Sequence, residues 1–181
     1  IIDSTAAEIT ISAINDDAEI YLIHNGETIA AGVGTLTVSQ MLLEEVAKDY
    51  TIRIIGPNEY VIFSKEYSLK LRAKSTNVAA TIYIDNEELT LNTDTGFYEK
   101  KVIGQAHELK AEATSTYAEV EIEGGGNETS SFTKAIGLAP AETKYYTVTV
   151  RAENGDEVDY IVEVYRKNNV TTIDEVDFTP I

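Results

Sequence analysis

The chain has 181 residues, of which 43% are hydrophobic and 25% are charged, and its formal net charge is −17. This charge repels nucleic-acid phosphates and anionic lipid, and no apolar run approaches the roughly 18 residues of a membrane-spanning helix, so the sequence excludes nucleic-acid binding and membrane insertion. Cysteine is absent, which excludes disulfides, thiolate catalysis and Cys-ligated zinc.

The dominant pattern is alternation of apolar and polar residues with a period of two, in short runs rich in Val, Ile, Thr and Tyr. Such runs, bounded by Gly, Asn and Asp, predict antiparallel strands with one buried face. In chain order the predicted strands are 8–13, 18–24, 35–38, 50–56, 59–63, 67–73, 80–85, 97–102, 107–113, 118–123, 145–152 and 158–165. Their spacing is typical of sandwiches and small barrels.

Three stretches do not fit the strand pattern. Residues 39–49 ("SQMLLEEVAKD") predict one or two turns of helix, because the leading serine can cap them and their apolar residues can share a face. Residues 124–131 ("GGGNETSS") predict a flexible internal loop. Residues 169–181 follow the last predicted strand and are interpreted as a tail or linker.

An internal similarity divides the chain. Residues 18–27 ("AEIYLIHNGE") are similar to residues 80–89 ("ATIYIDNEEL"), and each stretch precedes a Gly-containing loop. We therefore predict an all-β fold of two small tandem antiparallel β-sandwich (Ig-like) domains. The predicted division is a first domain at 1–74, a second domain at 75–168 and the tail at 169–181.

The acidic turn around Asn154 and Gly155 lies between two alternating strands, and its loop length decides which residues share a face. A two-residue loop would mix valines with acids on one face. A three-residue loop with Gly155 in the left-handed bulge position avoids this mixture. It predicts an outward-facing Ile161 and the cross-strand pairs Val150–Val158, Val148–Tyr160, Tyr146–Val162, Arg151–Glu157 and Thr149–Asp159.

A second acidic cluster is a candidate for metal binding. Asn15, Asp16, Asp17 and Glu19 together hold several oxygen ligands of the kind that calcium prefers. A solvated turn explains the same residues, because Asn and Asp side chains bond their own backbone, and the EF-hand spacing with a central Gly is absent. We interpret the cluster as a turn and predict no metal site.

The remaining polar residues give weak signals for catalysis. Glutamate pairs at 44–45 and 87–88, and Asp94, are carboxylates of the kind that hydrolyse glycosides, but 31 acids generate such pairs by chance. His24 and His107 have no second His or Cys at ligand spacing, so we interpret them as surface or strand-end residues. The "GVG" at 32–34 is too short for a dinucleotide loop, and no "GxSxG" occurs. We predict no catalytic residue, no cofactor and no enzyme.

Two N-glycosylation patterns occur, "NET" at Asn127 and "NVT" at Asn169. Both fall in a predicted loop or tail, where an acceptor is reachable. Their use depends on the host, which the sequence does not identify.

The first segment carries "ITIS" (9–12), "AEIYL" from Ala18, "NGE" (25–27) and "YTIRI" (50–54) followed by Tyr60. With this series it resembles a PEGA domain, a small β-domain of microbial surface and envelope proteins, over about residues 7–70. The Pro-Gly that precedes the alanine in that family is replaced here by "NDD", and the Thr-Pro after its glycine turn by "GVG".

The second segment carries "HELKAEATSTYAEVEIEGG" (107–125) and the closing hairpin "YTVTVRAENGDEVDYIVEVYRK" (146–167). These stretches resemble the cadherin-like β-sandwich repeat of bacterial cell-surface proteins, over about residues 76–168. The acidic "DxNDN" signature of calcium-binding cadherins is missing.

Both resemblances imply an extracellular or cell-surface protein in which this chain is a non-catalytic spacer or adhesion module, with other domains of that protein as partners. An alternative is a carbohydrate-binding accessory module of an enzyme, with cell-wall or extracellular polysaccharide as the partner and exposed tyrosines in a row on one sheet. A third alternative is a filament subunit, because the partly alternating "VTTIDEVDF" (170–178) could complete the sheet of a neighbouring copy. The sequence does not identify ligand-binding residues.

Overall fold

The computed structural model describes residues 1–2, 5–57, 63–123, 125–127 and 129–168. Within these residues the regular structure consists of strands and no helix, so the predicted all-β class is confirmed. The strands are β1 (Ala6–Ser12), β2 (Glu19–His24), β3 (Glu27–Val33), β4 (Thr35–Met41), β5 (Lys48–Ile55), β6 (Ser64–Leu71), β7 (Ala80–Ile84), β8 (Glu87–Glu88), β9 (Leu91–Asn92), β10 (Phe97–Val102), β11 (Ala106–Ala113), β12 (Glu119–Ile122), β13 (Gly125–Asn127), β14 (Ser131–Gly137), β15 (Thr143–Arg151) and β16 (Glu157–Arg166). No part of the described chain forms a helix able to span a membrane.

The chain divides into two compact units, unit 1 (Ile1–Thr76) and unit 2 (Asn77–Ile181). The division falls between Thr76 and Asn77, close to the change of segment that the internal similarity indicates. The predicted tail at 169–181 and most of the predicted strand at 59–63, with Tyr60, lie outside the described residues.

Unit 1 is a small sandwich of unequal sheets. A two-stranded antiparallel sheet, β1–β4, faces a four-stranded sheet in the order β3-β2-β5-β6. Alternation along the strands points one set of apolar side chains between the sheets. The buried members of this core are Ile9, Ile20, Leu22, Leu36 and Tyr50.

The predicted helix at 39–49 is wrong. Residues up to Met41 continue β4, which pairs with β1 from Ala6↔Met41 to Ser12↔Thr35. Leu42 is buried beside Ala7 and Ala73, where its backbone N–H donates to Thr5. Pairing and burial in the folded unit therefore override a short local helix signal.

Unit 2 is a larger sandwich. A four-stranded sheet in the order β14-β11-β7-β8 faces a six-stranded sheet in the order β13-β12-β15-β16-β10-β9. Its core is built from fully buried side chains on both sheets, among them Ile82, Leu109, Val120, Val148 and Val162. The sheet pairing is antiparallel except between β10 and β16, which run parallel from Tyr98↔Val162 to Val102↔Arg166.

The predicted loop at 124–131 is also wrong in part. Residues 125–127 form β13, whose backbone pairs with β12 from Ile122↔Gly125 to Val120↔Asn127. Asn127, the first glycosylation candidate, therefore lies in a strand, and Asn169 lies outside the described residues.

The two units differ in where the chain enters and leaves them. In unit 1 the N–H of Ile2 donates to the carbonyl of Arg72, and Lys74 donates to that of Ile2, so both ends of the unit lie together. In unit 2 the Tyr160 hydroxyl donates to the carbonyl of Val78, which places the start of the unit near the early part of β16. The unit ends beyond Arg166, six residues further along that strand, or about 20 Å away. The chain thus enters and leaves unit 2 at opposite poles.

Candidate interaction surfaces

The closing hairpin has the predicted register. Val150 pairs with Val158, Val148 with Tyr160, and the other predicted pairs are also present. Gly155 has φ +98, and the N–H of Ala152 donates to Asp156 around the three-residue loop. The core-facing valines are fully buried except Val158, which is 37% exposed beside the turn.

The acids of this turn are bound within the turn itself. The Asn154 amide donates to the Asp156 carboxylate at 2.7 Å, and the backbone N–H of Asp156 donates to the Asn154 side-chain oxygen at 3.0 Å. Arg151 donates to Glu157 at 2.6 Å, as the register predicts, and also lies 3.9 Å from Glu119 on β12. These contacts are those of an exposed turn with a neighbouring ion pair.

The cluster at 14–19 forms a turn as well. The N–H of Asp17 donates to the Asn15 side chain at 2.9 Å, and that of Ala18 donates to the Asn15 carbonyl at 3.0 Å. Glu19 accepts a hydrogen bond from Tyr21 on the same strand. Throughout the described part of the chain, no three His, Asp or Glu side chains lie close enough together to hold a metal ion.

Three of the other acidic candidates, Glu44, Glu45 and Glu87, form structural contacts through their carboxylates. Glu44 accepts hydrogen bonds from the backbone N–H and the hydroxyl of Thr76, each at 2.9 Å, and Glu45 accepts one from the buried Ser75 at 2.5 Å. These bonds fix the end of unit 1. Glu87 forms an ion pair with Lys100. The backbone N–H of Asp94 donates to Asn92 in a turn, at 3.0 Å.

The two histidines have different surroundings. His24 ends β2, where its Nδ1 lies 2.8 Å from the carbonyl of Asp49 and its ring lies 5.1 Å from that of Tyr50. His107 is buried, and its Nδ1 lies 2.6 Å from the carboxylate of Asp85. Of the two alternatives given for His107, surface or strand-end residue, the strand end holds, because His107 is the second residue of β11 and its side chain is buried.

The contact between His107 and Asp85 joins β7 to β11. Asp85 also accepts a hydrogen bond from the backbone N–H of Glu108 at 2.9 Å. Burial acts to raise the pKa of Asp85, but the hydrogen bonds from His107 and Glu108 outweigh it and lower that pKa below its ordinary value.

The outer side of the six-stranded sheet carries a cluster that we call the aromatic face, formed by Phe97, Tyr145, Ile161 and Tyr165. These residues alternate with buried ones on β10, β15 and β16, so they point away from the core. The rings of Phe97 and Tyr145 meet edge to face at 5.9 Å, and Tyr145 is 55% exposed. The face therefore presents apolar ring surface on a broad sheet.

Polar groups surround the aromatic face. Glu163 lies opposite Tyr145 on one side and Glu99 on the other. Glu99 accepts hydrogen bonds from Thr95 at 2.6 Å and Asn92 at 3.0 Å, and these bonds lower its pKa. Fixed carboxylates beside ring surface can accept hydrogen bonds from hydroxyl-bearing ligands.

Unit 1 carries a second surface, which we call the edge groove. It is a groove of about 440 Å³ where the two-stranded sheet leaves part of the larger sheet uncovered. Its exposed apolar side chains are Ile14, Phe63, at 65% exposure, and Tyr67, at 46%. The Lys65 ammonium lies 5.2 Å from the centre of the Tyr67 ring.

Comparisons with known proteins record limited similarity. No family model matches the chain, and no curated protein matches it. Fibronectin(III)-like modules of CbhA from Clostridium thermocellum are 8% identical with a TM-score of 0.37, over 91% of this chain and 86% of that one. SGBP-B of the Bacteroides ovatus mixed-linkage glucan utilization locus, solved with a mixed-linkage heptasaccharide, is 10% identical with a TM-score of 0.27 over 88% of this chain, which spans 64% of its length. Neither score supports a conclusion about function.

Proposed function

We propose that this chain is a non-catalytic structural and interaction module of an extracellular or cell-surface protein, and that unit 2 is its spacer. The observation that carries the proposal is the position of the two ends of unit 2 at opposite poles, about 20 Å apart along β16. A spacer must hold its neighbours apart, and a stiff sandwich with opposed ends does so. We assign the PEGA-like domain to 1–74 and the cadherin-like domain to 75–168.

The ladders of β16 suit a load-bearing role. β16 pairs with β15 on one side and, in parallel, with β10 on the other. Hydrogen bonds between strands lie across the strand direction, so a pull along β16 loads many of them at once. The chain therefore resists extension between its poles.

A replacement in the full-length protein tests the spacer role. Exchanging residues 75–168 for an unrelated rigid β-sandwich with the same distance between its ends should preserve the surface function of the host protein, whereas a flexible Gly/Ser linker of equal residue number should impair it. Loss of function with the rigid replacement would show that unit 2 acts through its own surface.

A second candidate function is carbohydrate binding by the aromatic face, supported by the exposed ring of Tyr145, the half-buried ring of Phe97 and the carboxylates of Glu99 and Glu163. Sugar rings present apolar faces that pack on aromatic rings and hydroxyls that donate to carboxylates. Because the chain carries a net charge of −17, we assign neutral rather than acidic polysaccharide as the ligand.

Retention on insoluble neutral polysaccharide tests this second candidate. Tyr145→Ala should weaken retention about tenfold or more, because Tyr145 is the most exposed ring of the aromatic face. Tyr117→Ala is the matched control, since Tyr117 is 41% exposed in unit 2 but lies outside the aromatic face. Equal retention of the wild type and both variants, or none by the wild type, would reject the candidate.

A further inference from the structure

The strand β1 leaves one edge of the smaller sheet of unit 1 open. Among the described residues, β1 pairs with β4 alone. Ala13 donates its N–H to Gly34, and Leu42 donates to Thr5, so the odd-numbered residues of β1 face β4. Alternation then turns the backbone N–H and C=O of even-numbered residues such as Thr10 and Ser12 toward the opposite edge. Such an edge is a template for a further strand.

The inner face of the four-stranded sheet, beside this open edge, offers apolar contacts to a further strand. Ile52 pairs with Tyr67 and Ile54 with Lys65, so these side chains share the inner face of the four-stranded sheet. The two-stranded sheet is narrower, and among the described residues no strand covers this part of the face, which forms the edge groove. Within the described part of the chain, no carboxylate forms an ion pair with Lys65, whose ammonium lies over the Tyr67 ring. The groove is thus apolar with one available cation.

We propose that the edge groove accepts residues 174–178 of a second copy of this chain as a third strand beside β1. The segment reads "DEVDF", so Asp174, Val176 and Phe178 share one face of a strand and the other two acids share the opposite face. The first face matches the groove, because it combines two apolar side chains with one anion. The opposite face, with its two carboxylates, then points to solvent.

The charge pattern fixes the placement of the donated strand. Asp174 pairs with Lys65, and Val176 and Phe178 cover the half-buried Ile54 and the exposed Tyr67. Backbone hydrogen bonds to the open edge of β1 supply affinity that does not depend on side chains. Pro180, two residues beyond the segment, cannot extend the ladder and ends it.

We assign the donor to another copy, and the concentration dependence of association distinguishes this contact from one within a single chain. A groove in unit 1 and a donor beyond unit 2 are different surfaces, so the contact is head-to-tail and can repeat from copy to copy. The inference rests on the proposed interaction role of the chain. If this contact between copies does not form, the proposed spacer role of unit 2 is unaffected, because the rigid replacement of unit 2 tests that role separately.

A mixing experiment with charge variants of the full chain tests the contact. The wild type should self-associate with rising concentration in sedimentation velocity, and Lys65→Glu or Asp174→Lys alone should weaken association about tenfold or more. A mixture of the two variants should associate again, because each groove then meets a tail of opposite charge. A wild type that stays monomeric up to about 1 mM, or a mixture that stays as weak as its components, would overturn the proposal.

A proline pair tests the backbone part of the contact. Thr10→Pro removes an N–H that faces the open edge while leaving the bonds to β4 in place. Thr37→Pro is the matched control, because Thr37 pairs with Thr10 and faces the other edge of the same sheet. With both variants folded by circular dichroism, Thr10→Pro should remain monomeric and Thr37→Pro should associate like the wild type. Equal association of the two variants would contradict strand addition at β1. If either proline variant unfolds, the mixing experiment with Lys65→Glu and Asp174→Lys alone tests the contact.

Discussion

At the residue scale, Gly34 is the most constrained glycine of unit 1. Its φ is +67, and a Cβ at this position would lie 2.6 Å from the backbone oxygen of Asp16. We expect Gly34→Ala to lower the free energy of unfolding by about 2 kcal/mol or more, because the strained backbone alone costs roughly 1–2 kcal/mol and the contact adds to it. Urea denaturation of the full chain measures the loss.

Gly26 provides the control for this prediction. Its φ is +82, but no atom lies within 4 Å of an added Cβ. Gly26→Ala should therefore cost only the backbone strain of roughly 1–2 kcal/mol. A loss as large as that of Gly34→Ala would show that the approach of Asp16 contributes nothing.

A second residue-scale prediction concerns pH. Asp85 has a pKa lowered below its ordinary value of 3.8, so its ionised form stabilises the fold at pH values above 3.8 and this stability is lost as the pH falls through the lowered value. Asp85→Asn keeps a residue that tolerates φ 52 but cannot ionise. In urea denaturation the difference in stability between the wild type and Asp85→Asn should shrink as the pH falls below about 4.

The control for the pH prediction is Asp94→Asn, in an exposed turn where the Asp94 backbone donates to Asn92. At pH 7 this variant should unfold within about 0.5 kcal/mol of the wild type, which checks that exchanging an exposed aspartate for asparagine has no large effect of its own. A difference for Asp85→Asn that stays constant down to pH 2.5, about a unit below the ordinary value for Asp, would contradict the role given to the contact with His107.

At the scale of elements, β16 shows that the face on which a side chain lies decides how much its truncation lowers the free energy of unfolding. Val162 is fully buried, whereas its neighbour Ile161 is only half-buried on the aromatic face. We expect Val162→Ala to cost about 2 kcal/mol, since it removes two buried methyl groups and leaves a cavity. Ile161→Ala should cost less than about 1 kcal/mol by thermal or urea unfolding. A reversed order would mean that the two faces of β16 had been assigned the wrong way round.

Most of the strands were predictable because a half-buried strand needs alternation and leaves that pattern in the sequence. The hairpin register was predictable as well, since a three-residue loop, unlike a two-residue loop, puts Val148, Val150 and Val162 on a common face. The missed strands have weak alternation. Two examples are residues 131–137 ("SFTKAIG") and residues 27–33 ("ETIAAGV"). They form strands because they pair with β11 and β2, although their own sequences alternate only weakly.

The surfaces were less predictable than the strands. Alternation places Tyr145 and Ile161 on an outer face, but the edge-to-face contact of Phe97 with Tyr145 depends on the parallel pairing of β10 with β16, which no local pattern encodes. The burial of His107 depends in the same way on Asp85, 22 residues earlier in the chain. Contacts between residues far apart in the sequence depend on the topology, so local sequence patterns do not predict them.

At the scale of the whole molecule, the two units differ in where their ends lie, and the proposed spacer role of unit 2 depends on that difference. Unit 1 begins and ends close together, at the bridge between Ile2 and Ala73, so a pull on its ends loads the few contacts of Ile2, Ser75 and Thr76 before it loads the strand ladders. Unit 2 is pulled between opposite poles, and the ladders of β16 carry the load together. Only the second arrangement suits a spacer under tension.

Single-molecule pulling of the full chain, held at its two ends, tests this account most directly. We predict two events, the first at low force from unit 1 and the second at clearly higher force from unit 2, with the second lengthening the chain by about 300 Å as roughly 90 residues extend. Val162→Ala should lower the force of the second event only. Opening of unit 2 at a force equal to or below that of unit 1 would contradict the proposal that unit 2 is the load-bearing spacer.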